Sequence, residues 1–360
     1  MFKDLSRRHF LAGSTAAAGA LSLGGPAALA AEPLKVGFVY VGPVGDFGWT
    51  HGHDLGRKAV EAEFGDKVKT TFVENVAEGP DADRVIRQLA ASGNKLIFTT
   101  SFGFMNPTIR VAKQFPDVMF EHATGIQTAK NVAIYNARFY EGRAVIGTIA
   151  GHVTKTGKFG YVASFPIPEV VMGINAFILA ARKVRPDAEI KVVWVNSWFD
   201  PGKEADATKA LIDQGCDVIT QHTDSPAPIQ TAGSRGVWCF GQASDMSTFA
   251  PEYHATAILD VWAPYYIERV KAALDGTWQT SNVWYGFKEG MVEMAPYNER
   301  LPAEAVADAE RVRKAIIDGS LHPFTGPIND QSGAEKVAAG QTISDNDLLG
   351  MGWYVEGVSA

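Results

Sequence analysis

Cysteine is almost absent: Cys216 and Cys239 are the only two in 360 residues. That scarcity excludes a disulfide scaffold and any cysteine-rich metal site. Both cysteines would flank neighbouring strands, so a single bridge stays open beside the plainer reading of two buried apolar thiols. An excess of basic charge is missing too. The 33 Lys plus Arg stand against 40 Asp plus Glu, a net charge of −7, and nothing in that balance attracts a phosphate backbone. The apolar stretch from Leu11 to Leu23 is too short, and too rich in Gly, Ala and Ser, to be a permanent membrane helix of about 20 residues. The local signatures of common enzymes are also lacking: no Gly-x-Gly-x-x-Gly loop opening a helix, no P-loop, no His-Glu-x-x-His helix and no Gly-x-Ser-x-Gly elbow. His51 and His53 form the close histidine pair, but an i,i+2 spacing on a helix turns the two rings to different faces. No metal and no cofactor is expected.

What is present begins at the N-terminus. Ser6-Arg7-Arg8-His9-Phe10-Leu11 precedes the apolar stretch, which runs on to Ala28-Leu29-Ala30. Paired arginines, an apolar segment and a small-residue cleavage site in that order read as a twin-arginine export signal over residues 1–30. Cleavage after Ala30 would release a soluble periplasmic protein. No cysteine near that point offers a lipid anchor.

The remaining chain of about 330 residues exceeds what one hydrophobic core usually serves, so two lobes are expected. From Leu34 onward, short β-rich runs alternate with helical stretches, the rhythm of parallel sheets covered on both faces. The strand candidates are Lys35 to Val41, Lys69 to Val73, Lys95 to Thr100, Val118 to Glu121 and Val132 to Tyr135. A second series comprises Lys158 to Ala163, Ile190 to Val195, Asp217 to Gln221, Gly236 to Gly241 and Ala255 to Leu259. Apolar spacing predicts intervening helices, among them Leu55 to Phe64, Asp83 to Ala91, Glu141 to Val153 and Val170 to Val184. The fold class is therefore α/β, with two doubly wound parallel-sheet lobes joined by a multi-strand hinge near Asn136 to Glu141. The helix Trp262 to Leu274 is expected to close the first lobe and the strand around Val283 to Phe287 to rejoin the second. The lobes are thus expected at residues 31–137 plus 259–282 and at 138–258 plus 283–360.

Ligands of open α/β sheets bind beyond the carboxyl ends of the strands. Those ends carry aromatics and acids: Gly45-Asp46-Phe47-Gly48-Trp49, Ser101-Phe102, Glu121-His122, Ser164-Phe165-Pro166, Asn196-Ser197-Trp198-Phe199-Asp200, His222-Thr223-Asp224 and Gly241-Gln242-Ala243-Ser244-Asp245. Trp49 and Trp198 occupy equivalent loops of the two series, and two flat rings from opposite lobes can sandwich a planar ligand. Asp46, Asp224 and Asp245 are candidates to accept hydrogen bonds from it, against the alternative of capping helices. Asp200 before Pro201 reads as such a cap. The expected ligand-binding set is Asp46, Phe47, Trp49, Ser101, Phe102, His122, Trp198, Asp224, Gln242 and Asp245, with no catalytic residue.

Together, the export signal, the Asp46-Phe-Gly-Trp49 and Asn196-Ser-Trp-Phe-Asp-Pro201 loops, Tyr140-Glu-Gly142 and Gly241-Gln-Ala-Ser-Asp245 resemble the basic membrane protein family over essentially the whole mature chain. Members are substrate-binding proteins of ABC importers with the type I periplasmic-binding fold. The resemblance implies a purine or purine nucleoside held between aromatics at the positions of Trp49 and Trp198, and partnership with a permease and its ATPase. Nucleoside-binding members place an Asp soon after the glycine at Gly241 to take the ribose hydroxyls, whereas Gln242 and Ala243 stand here. Where members usually carry an Asp, this chain also has His122. These departures favour a free base such as adenine over a nucleoside. The protein is expected to act as a monomer. An exported enzyme resembling a purine nucleoside hydrolase, or a ligand-sensing periplasmic receptor, are the alternative classes.

Overall fold

The computed structural model describes residues 32–360, and the export signal read over residues 1–30 lies outside them. The chain runs through β1 (Leu34–Val39), α1 (Gly48–Phe64), β2 (Val68–Val73), α2 (Pro80–Ala91), β3 (Leu96–Thr99), α3 (Met105–Ala112), β4 (Met119–Ala123) and β5 (Val132–Ala137). It then crosses over through α4 (Phe139–Val153) to β6 (Lys158–Ala163), α5 (Pro168–Val184), β7 (Glu189–Trp194), α6 (Pro201–Asp213), β8 (Val218–His222), α7 (Ala227–Ser234), β9 (Trp238–Gly241) and β10 (His254–Asp260). A last stretch holds α8 (Ala263–Leu274), β11 (Asn282–Tyr285), β12 (Val292–Met294), α9 (Ala303–Ile317), β13 (Ile328–Asn329), β14 (Glu335–Val337), α10 (Asp345–Leu349) and β15 (Val358–Ser359).

Two sheets result. The first has the order β11-β5-β4-β3-β1-β2 and is parallel throughout; the second has the order β12-β10-β9-β8-β6-β7-β15, with β12 antiparallel to β10. The inner strands form from largely apolar runs, as burial on both faces demands: every residue of Leu96-Ile-Phe-Thr99 is buried, whereas the edge strand β2 carries Lys and Thr and is half exposed. The helices form because their apolar residues recur on one stripe. In α2, Ala82, Val85, Ile86 and Leu89 are buried, with Pro80, Asp81 and Asp83 in the first turn where a helix tolerates proline and favours acids.

One expectation about the return of the chain needs correction. The strand around Val283 does not rejoin the second sheet. Asn282 to Tyr285 pairs in parallel with Ile134 to Ala137, extending the edge of the first. The chain crosses back only after it, between β11 and β12, where the Glu141 carboxylate accepts the Phe287 amide at 2.8 Å. The connections thus pass at β5 to α4, β10 to α8 and β11 to β12.

The first sheet is tied to α8 by a buried acid. Glu121 is fully buried and accepts hydrogen bonds from Tyr265 Oη at 2.7 Å and Trp278 Nε1 at 2.6 Å, with the Arg269 guanidinium against it. Cys216 and Cys239 are both free and buried, and burial pushes the Cys216 thiol up to about 11.

Candidate functional site

The carboxyl ends of both sheets face one cleft. Trp49 enters it after β1, Ser101 and Phe102 after β3, Trp198 after β7, Asp224 after β8 and Gln242 after β9. Val41, Thr124, Ile167, Glu169 and His222 complete the wall. Thr124 holds a φ of 59° and Ala243, just beyond Gln242, one of 62°. Left-handed backbone is uncommon for side-chain-bearing residues, most of all β-branched ones, and tends to persist where surrounding structure enforces it at binding sites.

Each tryptophan is fixed by its own surroundings. Trp49 meets His53, Phe139 and Trp262 edge-on, and its Nε1 donates to the Thr100 carbonyl at 2.6 Å. Trp198 lies against Phe165 at 5.2 Å between ring centroids. Its Nε1 donates at 3.3 Å to Glu78 Oε1, on the loop before α2 and thus on the opposite side of the cleft. The same carboxylate accepts from Ser101 Oγ at 2.6 Å and from the Gly103 amide at 3.1 Å.

Polar groups in the cleft have defined directions. Arg143, fully buried, donates to Thr220 Oγ1 at 3.1 Å and to Gln242 Oε1. A guanidinium only donates, so it takes the amide oxygen of Gln242 and leaves the NH₂ for other partners. His222 places Nε2 3.4 Å from Glu169 Oε1 and Nδ1 3.4 Å from Tyr161 Oη, and burial lowers its pKa. A neutral ring donating to Glu169 and accepting from the tyrosine satisfies both contacts.

The lobes touch at the start of α1. Phe47 stands at the N-cap without a side-chain cap, so the first helical amides have no local acceptor. The second sheet supplies them: Gly48 N donates to Ser244 Oγ at 2.7 Å and Trp49 N to Asp224 Oδ1 at 3.3 Å. Approach is so close that a Cβ on Gly48 would lie 2.7 Å from the Asp224 carbonyl oxygen, and its φ of +81° also favours glycine. Phe47 packs edge-to-face on Phe249 beside this contact.

Burial, and after it the charges of Glu204 and Glu169, push the Asp224 carboxyl up to about 8, with the Trp49 amide opposing. With the lobes apart this carboxyl meets water and, its burial relieved, its pKa falls toward the ordinary acidic range, although Glu204 and Glu169 on the same lobe stay beside it. Over the range between the open value and about 8 the closed, empty protein therefore holds up to one more proton than the open one, and rising pH lowers the closed-to-open ratio by at most about tenfold per unit. The radius of gyration of the ligand-free protein should increase over that range. Asp224→Asn should flatten the response, and an unchanged response in that variant would remove Asp224 from the contact.

Four expected site residues sit elsewhere. Asp46 and Asp245 are exposed and line a separate groove beside Leu55 and Trp262. Asp46 lies between Gly45 and Gly48, both at positive φ, while Asp245 lies past the left-handed Ala243 and accepts the Ser247 amide at 2.9 Å. Phe47 serves the contact between lobes. His122 is buried in β4, with Nδ1 2.9 Å from Thr99 Oγ1, and burial lowers its pKa to about 3. A Cβ on Gly125 would stand 3.0 Å from its Nε2, which places the ring beneath the strand-end loop instead of in the wall of the cleft. Conversely, Glu169 was not anticipated: an acid after Pro168 in the first turn of α5 reads as a complement to the helix dipole. His222 was visible in a strand-end loop but not singled out.

Two parallel sheets whose strand ends close over a common cleft define a ligand-capturing protein of the periplasmic-binding type. A solute-binding protein of an ABC transporter system from Aeropyrum pernix K1 has the same fold: its structure aligns with a TM-score of 0.70 over 88% of this chain and 95% of that one, at 19% identity. Residues 34–322 match the Bmp family, described as ABC transporter substrate-binding protein PnrA-like. A purine-binding protein of Brucella abortus is 60% identical over 334 residues, covering 93% of this chain and 95% of that one. A relative from Haloferax volcanii, provisionally named an ABC transporter glucose-binding protein, is 38% identical over 303 residues, 84% of this chain and 76% of its own. The chain belongs to the Bmp family of PnrA-like ABC transporter substrate-binding proteins. It is a binding protein and not an enzyme, of a class that works outside the cytoplasm. Among the described residues no helix is long and apolar enough to cross a membrane.

Proposed function

We propose that this protein captures a purine in the periplasm, a free base such as adenine in preference to a nucleoside, and delivers it to an ABC permease. The observation that carries the reading is the pair Trp49 and Trp198, brought from opposite sheets to one cleft. Two indole faces suit a flat heterocycle, and the acids at Asp224 and Glu169 suit its ring N–H and exocyclic amino groups. The Gln242 amide offers donors to ring nitrogens, since Arg143 occupies its oxygen. The cleft wall carries no Lys or Arg, so a neutral, donor-bearing base is the better match than an anion. The name of the Brucella relative supports a purine.

The preference for a base rests on Gln242 and Ala243, which replace the carboxylate that would accept two ribose hydroxyls. Export through the twin-arginine signal over residues 1–30 and action as a monomer belong to the same reading. The test is a thermal-shift series on protein refolded from denaturant to strip carried-over ligand. Adenine at a hundred times its dissociation constant should add about 2.7 kcal/mol of stability, and adenosine less. Larger shifts with nucleosides would overturn the preference for a base.

A further inference from the structure

Beside the ring cleft lies a second cavity that the reading above leaves unused. Ile126, Phe139, Met172, Trp284 and Leu349 line it, and it shares Phe102, Thr124, Ile167 and Glu169 with the first. The two spaces therefore adjoin across these four residues, and a ligand held between Trp49 and Trp198 has this annex as its neighbour. Its wall is built from both sheets and from the C-terminal segment. Leu349 ends α10, which is docked through Arg138: the guanidinium donates to both Asp345 carboxylate oxygens, at 2.8 and 2.6 Å.

Polar groups at the annex are already engaged. Tyr140 Oη accepts from Arg138 Nη1 at 2.6 Å and lies 3.2 Å from His322 Nε2, and the Asn136 amide donates to the Gly125 carbonyl at 3.1 Å. Glu169 stands at the junction, paired with His222. Ile126, half exposed, forms the lip. A sugar placed here would surrender the water on its hydroxyls to a wall of aliphatic and aromatic carbon, a cost that an apolar group avoids. Burial of such a group is favourable in proportion to its area.

We propose that the annex is a subsite for an apolar substituent on the bound ring, so that the ligand class includes alkyl- and aryl-substituted purines. This inference rests on the purine reading of the ring cleft. The experiment titrates ligand-stripped protein with adenine, N6-benzyladenine and 9-benzyladenine, using wild type, Leu349→Trp and Ile126→Trp. Both substituted positions are partly exposed and belong to the annex but not to the ring cleft, so folding and adenine affinity should persist in both variants.

At least one benzyl derivative should bind wild type as tightly as adenine or tighter. The filled annex should weaken it by about tenfold or more, as expected for a phenyl group denied burial, with adenine changed by less than about twofold on the same scale. Rejection of both derivatives by wild type that binds adenine overturns the annex and leaves the purine site standing. So does a derivative whose affinity is the same in both variants. Failure of adenine itself to bind wild type overturns the purine reading, and this inference with it.

Discussion

Trp198→Ala should lower affinity for the purine by about 5- to 150-fold, the range set by about 1–3 kcal/mol for the loss of one base–aromatic stack. Trp49→Ala should do the same, and neither change should unfold the protein. The two indoles differ in what else they do. Trp198 is held by Phe165 and by the bond from its Nε1 to Glu78 across the cleft, so its removal also deletes a contact between the lobes. Trp49 is wedged among His53, Phe139 and Trp262, so its alanine variant should lose some stability as well as affinity, from the space left behind. Calorimetric affinities unchanged by either substitution would remove the sandwich.

The other large effect falls on stability. Glu121→Ala should destabilise the protein by about 3–5 kcal/mol, because breaking a buried ion pair leaves an uncompensated charge. Arg269 would keep its bond to the Gln279 carbonyl at 2.7 Å but lose its counter-charge, and Tyr265 Oη and Trp278 Nε1 would lose their acceptor. Replacing both partners, Glu121→Leu with Arg269→Met, should recover part of the loss, since no charge then remains buried. Denaturant midpoints report both results. A single variant within about 1 kcal/mol of wild type would show that the carboxylate does not anchor α8 to the first sheet.

Much of this architecture could be read from local pattern. All ten expected strands form, and Lys158 to Ala163 has the expected ends; the inner strands are legible because a strand buried on both faces is a largely apolar run. Asp200 caps α6 as its place before Pro201 implied, accepting the Lys203 amide at 3.1 Å. The start of α1 could not be read in the same way. It begins at Gly48 and not near Leu55 because its caps come from Asp224 and Ser244, 175 and 196 residues distant. Nothing near Phe47 in the chain signals a helix there.

The site divides along the same line. Trp49, Ser101, Phe102, Trp198, Asp224 and Gln242 follow strand ends directly and reach the cleft. Asp46 and Asp245 lie in turns where positive-φ residues decide the outward direction, and side-chain chemistry does not reveal that. β11 joins the first sheet through pairing with β5, a contact between residues about 148 apart in the chain, which periodicity cannot assign.

The decisive measurement is a pair of calorimetric titrations of the refolded, ligand-free protein, one with adenine and one with glucose. Saturable one-to-one binding of adenine with no heat from glucose is the result expected if Trp49 and Trp198 enclose a planar base. Saturable binding of glucose with adenine silent would leave the fold and its closure intact and contradict the purine site.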